Sequence, residues 1–430
     1  MKDVLAMVMA GGNGERLYPL TRDRAKPAVP FGGIYRLIDF TLSNCVNSGI
    51  RKIVVLTQYK SLSLERHLRL GWNIFHSELD EFLFPIPPQM RISGDWYKGT
   101  ADSIYQNLYF ADTVNPDYFL VLSADHVYKM DYSRMLAFHK KKDADVTVAT
   151  IDVAQDAGSH FGVMKVDDEG KVICFKEKPK KIDSSTYSNG TIPINMGVYI
   201  FNNQVLREFL EEDAHKETAH DFGKDIIPEM IERARVFAYN FKNENEKKLL
   251  YWRDVGTIDS YFDANMDLAA PDPKFNLYDD DWPIRTFQGQ YPPAKMVFAR
   301  EYTGGKFGIC IDSIVSGGCI INGGRVQNSV LSPQVRINSH SEIMESVLME
   351  DVDVGRYCKI RRAIIDKGVK IPPRTEIGYD WKKDGERFFV SDSGVVVIAK
   401  GMKLSSPKRE IPKEKNRIEY SNFQYVANLY

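Results

Sequence analysis

A glycine-rich segment directly after the first apolar run is where the sequence first indicates chemistry. It reads Ala10-Gly11-Gly12-Asn13-Gly14-Glu15-Arg16-Leu17. Glycines such as Gly11, Gly12 and Gly14 let backbone N–H groups approach and cradle phosphate oxygens. A dinucleotide fingerprint would need a glycine where Leu17 stands, and a P-loop would need one immediately before Lys26, so both common motifs are excluded.

Two basic residues accompany this loop and restrict the class of ligand that it can bind. Arg16 lies within the segment and Lys26 follows further along the chain. Their charges suit the β- and γ-phosphates of a nucleoside triphosphate that leaves as pyrophosphate. The alternative interpretation is a plain strand-to-helix turn with Arg16 and Lys26 as solvated surface charges.

A carboxylate placed for metal binding comes further along the chain. Asp125 follows the apolar run Phe119 to Leu122. Open α/β sheets bind their ligands at the carboxyl ends of such strands. Carboxylate oxygens suit a hard cation such as Mg²⁺. We therefore expect Asp125 to be a metal ligand, against the alternative of a turn or cap residue.

The elements that must position these residues are indicated by hydrophobic patterning. At 430 residues the chain is longer than one core normally serves, so we expect two domains. Up to about residue 265, short apolar runs alternate with amphipathic helical stretches, which is typical of a largely parallel sheet flanked by helices. The predicted strands are Val4 to Met9, Ile53 to Thr57, Phe119 to Leu122, Val146 to Ile151 and Gly197 to Phe201. The predicted helices are Leu37 to Asn47, Ser61 to Leu70 and Ser133 to Lys141.

A change of composition separates this region from the rest. Prolines accumulate between Pro271 and Pro293 and the periodicity stops, which predicts a linker rather than a packed element. The expected domains are residues 1–270, a linker over 271–305 and a second domain over 306–430.

The second domain carries an internal repeat with a constant period. Five columns of apolar residues recur at the step that separates Ile337 from Val354: Ile320, Ile337, Val354 and Ile371; Val326, Ile343, Ile360 and Ile377; Val330, Val347 and Ile364; Leu331, Leu348 and Ile365; and Val335, Val352 and Val369. Pairs such as Ile337 and Ile343 have the hexapeptide spacing of a three-sided parallel β-helix. The alternative, a β-sandwich, does not repeat its inward residues at so constant a period.

The net charge and the cysteine content restrict the partners and the cellular compartment that we expect. The formal net charge is -1, so we expect no nucleic acid and no anionic membrane as partner. No apolar run approaches the roughly 20 residues of a membrane span, and Val4 to Met9 is too short for a signal sequence. The five cysteines are odd in number and never paired as CxxC, which favours reduced thiols in a cytoplasmic protein.

Several blocks of the sequence carry a family resemblance. They are Gly11 to Thr21 with Arg24 to Val29, Tyr35 to Phe40, Leu42 to Cys45, Asn47 to Ile50, Leu56 to Tyr59, Trp96 to Asp102, Asp125 to Tyr132, Phe175 to Pro179 and Tyr251 to Thr257. Together they resemble the sugar nucleotidyltransferases, and most specifically the glucose-1-phosphate adenylyltransferase family of bacterial glycogen synthesis. The resemblance runs nearly end to end.

This resemblance implies a fold and a reaction. The implied fold is a Rossmann-like α/β domain with a mixed, mostly parallel sheet, followed by a left-handed parallel β-helix. The implied reaction joins ATP and α-D-glucose 1-phosphate to give ADP-glucose and diphosphate. It requires Mg²⁺, held by Asp125 and Asp254, and Arg16 and Lys26 complete the catalytic set.

The resemblance also assigns the substrate pocket. It places Lys178 on the phosphate of glucose 1-phosphate and Glu177 on a sugar hydroxyl. The remaining positions implied to bind substrate are Gly11, Gly12, Gly14, Gln58, Trp96, Tyr97, Gly99, Thr100, Gly162 and Asn195. For Trp96 and Tyr97 the alternative is core packing, and for Lys178 it is an exposed lysine at a strand end.

Relatives are regulated, and the sequence departs from them in places. A phosphorylated metabolite and adenine nucleotides or phosphate bind relatives between the domains, where Arg24, Arg36 and Arg387 match basic residues; ordinary surface arginines are the alternative. Asp23 stands where several bacterial relatives carry an activator-binding lysine, and a carboxylate repels such a ligand. Ala124 replaces a frequent Gly and Asn195 a frequent Ser, which affects fine substrate contacts only. Relatives are homotetramers, so the same is expected here.

Three other functions stay open. A non-catalytic regulatory paralogue would lack Asp125, Lys178 or Asp254, and all three are present. An enzyme using another nucleoside triphosphate or sugar would share the glycine-rich loop but generally lack the blocks around Asn44, Gln58 and Trp96. An acyltransferase would need a longer β-helix with a catalytic histidine.

Overall fold

The computed structural model describes residues 1–89, 96–182, 190–242, 250–297 and 308–405. In the first part of the chain the strands are β1 Val4–Ala10, β2 Pro30–Phe31, β3 Tyr35–Arg36, β4 Lys52–Thr57, β5 Phe82–Ile86, β6 Tyr118–Ser123, β7 His126–Tyr128, β8 Val146–Ala154, β9 Gly162–Val166, β10 Val172–Glu177, β11 Thr191–Asn202, β12 Val236–Asn240 and β13 Trp252–Asp254. The helices are α1 Leu37–Asn47, α2 Leu62–Gly71, α3 Thr100–Tyr105, α4 Leu108–Val114, α5 Tyr132–Lys141, α6 Asn203–Ala214, α7 Ile227–Arg233 and α8 Ile258–Ala269.

One mixed sheet forms the centre of this domain. Its main order is β10-β9-β11-β6-β1-β4-β5, with β8 added to β11 and β12 added to β8. β1 pairs in parallel with β4 and β6, and β4 pairs in parallel with β5. Every one of the five predicted strands and three predicted helices is present. The fifth strand, β11, is longer than predicted and runs antiparallel to β6, a direction that an apolar run does not encode.

The central strands are buried on both faces. Val4, Ala6 and Val8 of β1 belong to one hydrophobic cluster, and Leu5 and Met7 belong to another on the opposite face. This is the packing of a sheet covered by helices on both sides, and it explains why these strands read as continuous apolar runs. The carboxyl ends of β1 and β6 therefore open at the same edge.

A short ribbon carries chain segments to that edge. β7 follows closely after β6 and pairs antiparallel with β13, so that His126 lies opposite Asp254. This pairing brings together two parts of the chain that are distant in sequence. Asp125 and Asp254 thereby share one end of the ribbon.

The second part of the chain forms a parallel β-helix with a helix inserted late. Its strands are β14 Lys295–Val297, β15 Ile309–Ile311, β16 Ile314–Val315, β17 Ile320–Asn322, β18 Arg325–Gln327, β19 Val330–Leu331, β20 Arg336–Ile337, β21 Glu342–Leu348, β22 Asp353–Val354, β23 Lys359–Ile365, β24 Lys370–Ile371, β25 Glu376–Ile377, β26 Phe389–Val390 and β27 Val396–Ile398. The inserted helix is α9, Trp381–Gly385. β14, β17, β20, β22 and β24 form one face, and the remaining parallel strands form the other two.

The predicted columns agree with the register, with one exception. Val326, Ile343, Ile360 and Ile377 pair in succession, as do Leu331, Leu348 and Ile365. The exception is Ile320, because Ile321 and not Ile320 pairs with Ile337 and is fully buried. The assignment of Ile320 to that column was therefore wrong. The step from Ile321 to Ile337 is one position shorter than the step from Ile337 to Val354, so a constant period misplaced the residue by one.

The proline-rich segment is packed, contrary to the sequence prediction. Phe275 and Ile284 are buried, and the Trp282 indole donates to Asn44 on α1. Apolar side chains between the prolines account for this packing, although residues 270–294 contain no helix or strand. β14, which falls within the predicted linker, already pairs with β17 of the β-helix. The proposed limits 1–270, 271–305 and 306–430 stay predictions, and residues 298–307 and 406–430 lie outside the described residues.

One hydrophobic cluster joins the two domains. Val330, Val347, Ile364, Val395 and Val397 supply the β-helix side of it. The catalytic-domain side includes Leu17, Val127 and Val255. Leu17 directly follows Arg16, and Val255 directly follows Asp254. Val127 lies two residues after Asp125. One hydrophobic cluster therefore includes both β-helix residues and the sequence neighbours of the predicted catalytic side chains.

Candidate active site

The glycine-rich loop closes over the end of β1. Gly14 has φ 66°, a left-handed conformation that glycine adopts without strain, and its carbonyl accepts a hydrogen bond from Thr21 Oγ1 at 2.9 Å. A Cβ on Gly11 would lie 3.1 Å from Gln58 Cβ, so Gly11 and Gln58 are neighbours at this edge. Around Gly12 a Cβ would meet no atom within 4 Å. The loop is thus open on the side where Gly12 faces solvent, as a phosphate cradle requires.

Lys26 lies between the two predicted metal carboxylates. Its Nζ is 2.7 Å from Asp125 Oδ2 and 3.3 Å from Asp254 Oδ1. Burial opposes the charged form of both Lys26 and Asp125, but the opposite charges outweigh it. The pKa of Lys26 is raised and the pKa of Asp125 is held well below its usual range. Lys26 and Asp125 are therefore both ionised at neutral pH.

Arg16 completes this charged group, which we call the phosphate end: Arg16, Lys26, Asp125 and Asp254. A Cβ on Gly256 would lie 3.0 Å from both carboxylate oxygens of Asp254 and 3.1 Å from Arg16 Nη2. Gly256 thus lets the arginine and the carboxylate approach each other. The four predicted catalytic residues lie together.

His126 is a member of this neighbourhood that the sequence reasoning did not single out. Its Nε2 is 3.6 Å from Asp125 Oδ1 and 3.9 Å from Asp254 Oδ1, and its ring packs edge-on against Trp252. The buried Nδ1 has no hydrogen-bond partner among the described residues. His126 belongs to the matching block that begins at Asp125, which was the available signal.

The donor set at the phosphate end fits a hard divalent cation that keeps some other ligands. The described residues contain no group of three or more His, Cys, Asp or Glu side chains that could hold a metal ion by themselves. Two carboxylates facing one point suit an ion such as Mg²⁺, which usually binds one or two carboxylates plus substrate phosphates and water. Asp125 and Asp254 are the residues that would hold it.

A second group of predicted residues, which we call the sugar end, consists of Gly162, Glu177, Lys178 and Asn195. Lys178 is 58% exposed, has φ 44° and lies 3.5 Å from Glu177 Oε1. Burial raises the pKa of Glu177 despite the nearby lysine. A Cβ on Gly162 would lie 2.7 Å from Glu177 Oε2, so this glycine makes room for the carboxylate. Glu177 is thus enclosed while Lys178 projects into solvent.

Asn195 connects the sugar end to the phosphate end. Its side chain donates to the Tyr199 hydroxyl at 2.6 Å and accepts from the Gly197 N–H at 2.9 Å. The pairing of β11 with β8 is irregular between Asn195 and Tyr199. A Cβ on Gly197 would lie 2.8 Å from Ser123 Oγ, at the end of β6 that precedes Asp125. The irregular stretch of β11 that begins at Asn195 therefore packs, through Gly197, against the end of β6 that precedes Asp125.

The predicted aromatic pair separates into two roles. Trp96 is exposed and stacks on Tyr59, with ring centroids 5.2 Å apart and 13° between the planes. Tyr97 is buried, and its hydroxyl accepts a hydrogen bond from Asn107 at 2.9 Å. Trp96 is thus available to a ligand, whereas Tyr97 has the surroundings of a core residue.

Gly99 and Thr100 dock on a turn that the sequence reasoning did not identify. A Cβ on Gly99 would lie 2.2 Å from the carbonyl oxygen of His220, so only glycine fits there. Thr100 Oγ1 donates to Asp221 Oδ2 at 3.0 Å. Asp221 also accepts from two backbone N–H groups of the turn. No local pattern links Asp221 to Thr100, because they are 121 residues apart.

The three predicted regulatory arginines lie in two places. Arg24 is buried, and its Nη2 donates to both carboxylate oxygens of Asp366 of the β-helix, at 2.8 and 2.9 Å. Arg36 and Arg24 line a cavity of about 910 Å³ between the domains. Arg387 does not line it; it lies just after α9, where it pairs with Asp384 at 2.8 Å. The structure therefore brings two of the three together.

Cations gather around this cavity. Arg66, Lys367 and Lys400 line it together with Arg24 and Arg36, alongside the acidic Asp23 and Glu350. Burial lowers the pKa of Lys367, and the charge of Arg36 lowers it further. The excess of positive groups makes the cavity suited to an anion.

The fold and the cation–carboxylate site define the class of nucleotidyl transferases. The family model described as nucleotidyl transferase matches residues 5–270, and a model described as GlmU-like C-terminal hexapeptide matches residues 292–398. These matches confirm the predicted fold class, including the hexapeptide type of β-helix.

Curated relatives narrow this class. A glucose-1-phosphate adenylyltransferase of Koribacter versatilis is 53% identical, covering 94% of this chain and 97% of that protein. One from Rhodopirellula baltica is 51% identical over 95% of this chain and 92% of its own length. Glucose-1-phosphate adenylyltransferase 2 of Vibrio cholerae is 50% identical, over 94% of this chain and 100% of its own length. The chain belongs to the glucose-1-phosphate adenylyltransferase family, which confirms the predicted resemblance.

A search of the described residues for a helix long and apolar enough to cross a membrane finds none.

Proposed function

We propose that this chain makes ADP-glucose and diphosphate from ATP and α-D-glucose 1-phosphate, as the first committed step of glycogen synthesis. The proposal rests on one observation above all. In a chain about half identical to named glucose-1-phosphate adenylyltransferases, Arg16, Lys26, Asp125 and Asp254 converge beside an open glycine-rich loop. The carboxylates and cations needed to handle two polyanions are therefore all present in one place.

The reaction needs no protein nucleophile. An oxygen of the sugar phosphate attacks the α-phosphorus of ATP in line, the new P–O bond forms, and the bond to the β-phosphate breaks as diphosphate leaves. Both reactants are negatively charged, so the protein contributes positioning and charge neutralisation. A bound Mg²⁺ would supply Lewis acidity between the phosphates.

The side chains divide this work between the two ends. Arg16 and Lys26 neutralise the β- and γ-phosphates that depart, and Asp125 and Asp254 are the residues that would hold a Mg²⁺ ion. Lys178 binds the phosphate of glucose 1-phosphate, where a mobile point charge suffices. Glu177 and Asn195 bind sugar hydroxyls, and Gln58 with the exposed Trp96 borders the nucleotide.

Initial-rate synthesis tests this function. The purified full chain is given glucose 1-phosphate with ATP, UTP, dTTP or GTP, with and without Mg²⁺, and diphosphate release is measured. We expect rapid release with ATP and Mg²⁺ only. No release with any nucleotide would indicate a non-catalytic paralogue, and faster release with another nucleotide would overturn the assignment of ATP.

The cavity between the domains is proposed to be an allosteric site for a phosphorylated metabolite and for adenine nucleotide or phosphate. Its cations support an anionic ligand, but Arg24 is already paired with Asp366. Asp23 lines the same cavity and pairs with Arg22 at 2.9 Å. Its negative charge opposes an activator that relatives bind with lysine at this position.

Activation assays test this regulatory proposal. Fructose 1,6-bisphosphate, fructose 6-phosphate and pyruvate are compared on the wild type and on Asp23→Lys. We expect the variant to respond more strongly to fructose 1,6-bisphosphate than the wild type does. A wild-type response equal to that of relatives with the lysine would contradict the proposal.

Assembly and location are part of the same proposal. A homotetramer is proposed by analogy with relatives, and light scattering on the purified chain measures it directly. A cytoplasmic location agrees with five cysteines that are all free thiols.

A further inference from the structure

A hairpin of the β-helix contacts the helix that follows the metal carboxylate. β26 and β27 pair antiparallel, and their connecting turn carries Ser391 and Ser393. Ser391 Oγ donates to Asp259 Oδ1 at 2.5 Å and Ser393 Oγ donates to the same oxygen at 2.8 Å. Asp259 lies in the first turn of α8 and is half-buried. Two hydroxyls from one domain thus converge on one carboxylate of the other.

The hairpin turn is itself fixed on the β-helix. The backbones of Ser391 and Val395 are joined by a 3.0 Å hydrogen bond, and Ser391 Oγ accepts a second one from the Val395 N–H. Val395 is fully buried in the cluster that joins the domains. Arg362 donates to the Ser393 carbonyl at 3.3 Å and lies 5.4 Å from the ring of Phe262 on α8. The two serines are therefore presented to α8 from a rigid support.

The path from Asp259 to Asp254 is short and tightly packed. Thr257 is the N-cap of α8 and exchanges reciprocal hydrogen bonds with Ser260, at 3.1 Å and 3.0 Å. Only Val255 and Gly256 separate this cap from Asp254, and both are buried. A Cβ on Gly256 would come within 3.0 Å of the Asp254 carboxylate. A short and buried stretch of backbone therefore joins the start of α8 to Asp254.

We infer that Asp259 is a positioning residue that fixes Asp254 through its bonds to Ser391 and Ser393 of the β-helix. The inference deepens the proposed function, since it rests on the role of Asp254 as a metal carboxylate. It gives the β-helix a part in the chemical step that is separate from effector binding in the cavity.

A simpler role for Asp259 makes a different prediction. An acidic residue in the first turn of a helix also stabilises it through the helix dipole. That role needs the negative charge, whereas acceptance of two hydroxyl hydrogen bonds needs only an oxygen. Asp259→Asn removes the charge and keeps an acceptor oxygen, and Asp259→Ala removes both. The pair of variants therefore separates positioning from dipole stabilisation.

The experiment compares these variants with the wild type in the full chain with ATP, glucose 1-phosphate and Mg²⁺. For Asp259→Ala we expect kcat to fall about 5- to 20-fold, below the ~10²-fold that a misplaced catalytic group can cost, with KM for glucose 1-phosphate changed less than about twofold. Ser391→Ala/Ser393→Ala should give the same loss. Asp259→Asn should retain most of the wild-type kcat.

Three comparisons support or overturn the inference. Combining Asp259→Ala with both serine changes should be no worse than Asp259→Ala alone, because the groups act as a unit. The control Asp263→Ala, an exposed acid one turn further along α8, should match the wild type. Wild-type kcat in Asp259→Ala, or an Asp259→Asn as slow as Asp259→Ala, would overturn the inference.

Folding and the proposed function are checked separately. Thermal unfolding is measured for each variant, and a serine double variant that melts like the wild type yet keeps full kcat also overturns the inference. Asp254→Asn is assayed in parallel. If Asp254→Asn were as fast as the wild type, the role of Asp254 as a metal carboxylate would fail, whichever result Asp259 gave; the proposed function itself is tested by diphosphate release from the wild type.

Discussion

The phosphate end and the sugar end of the site differ in how their charges are balanced before any substrate binds. At the phosphate end, Lys26 is mostly buried and lies within 3.3 Å of two carboxylates. At the sugar end, Lys178 is mostly exposed, and Glu177 supplies the one carboxylate of the described residues within ion-pair distance, at 3.5 Å. The first arrangement is preorganised, whereas the second must be completed by the ligand. Changes at the phosphate end should therefore affect the chemical step, and changes at the sugar end should affect binding.

The largest expected effect comes from Asp125→Asn. This change removes a metal ligand and leaves Lys26 with one carboxylate instead of two. We expect kcat to fall by about 10²- to 10³-fold or more, the cost of losing one charged transition-state contact. Steady-state rates at saturating substrates and Mg²⁺ measure it. Asp156→Asn, an exposed acid outside the site, is the control, and a kcat within tenfold of wild type would break the comparison.

Lys178→Ala should also lower catalytic efficiency by removing a charged contact, but through substrate binding rather than through kcat. Because Lys178 is exposed and contacts substrate rather than preformed partners, kcat/KM should fall about 10²-fold, largely through a raised KM for glucose 1-phosphate. Substrate titrations of Lys178→Ala and of the nearby exposed Lys180→Ala separate a specific effect from loss of surface charge. A normal KM for glucose 1-phosphate in Lys178→Ala would remove this residue from the sugar end.

The smallest effect sharpens the comparison through pH. Burial raises the pKa of Glu177, so the folded state holds this proton to higher pH than the unfolded chain does. The resulting cost to stability is absent below the unfolded pKa and grows as pH rises toward the folded pKa. Glu177→Gln removes this cost, so its Tm should exceed that of the wild type at pH 7 and approach it near pH 4. Thermal melts across this range measure the difference, and a gap that widened toward pH 4 would show the opposite sign.

The two domains also differ in how far sequence alone predicts them. The β-helix columns are fixed by one period, and Val326, Ile343, Ile360 and Ile377 pair as predicted. The assignment of Ile320 to its column was wrong because one coil is one residue shorter than the next. A constant period cannot reveal the loss of a single residue. In the α/β domain, local apolar runs located five of the strands, β1, β4, β6, β8 and β11, and missed the others. They did not give the direction of β11, which depends on pairing with distant β6 and β8.

The candidate site also has features that the sequence predicts and features that it does not. Glycine, lysine and aspartate positions followed from motif types and from the family resemblance, and their roles stay predictions. The partners that the structure adds are distant in sequence. Asp366 meets Arg24 across 342 residues, and Ser391 meets Asp259 across 132. Such pairs depend on how the domains dock, and no local pattern in the sequence encodes that geometry.

The hairpin of β26 and β27 also marks where parallel pairing ends on one face of the β-helix, within the part of the chain that the structure describes. On the face that carries Val330, Val347 and Ile364, the strands succeed one another in parallel until β27, and β26 then lies beside β27 in the opposite direction. An added coil would need a parallel edge in register, and an antiparallel strand presents a different hydrogen-bonding pattern. Repeat stacks with open ends are prone to uncontrolled end-to-end growth. By reversing its last pairing, this face presents an antiparallel strand at the position where a further coil of the described repeat would need a parallel one.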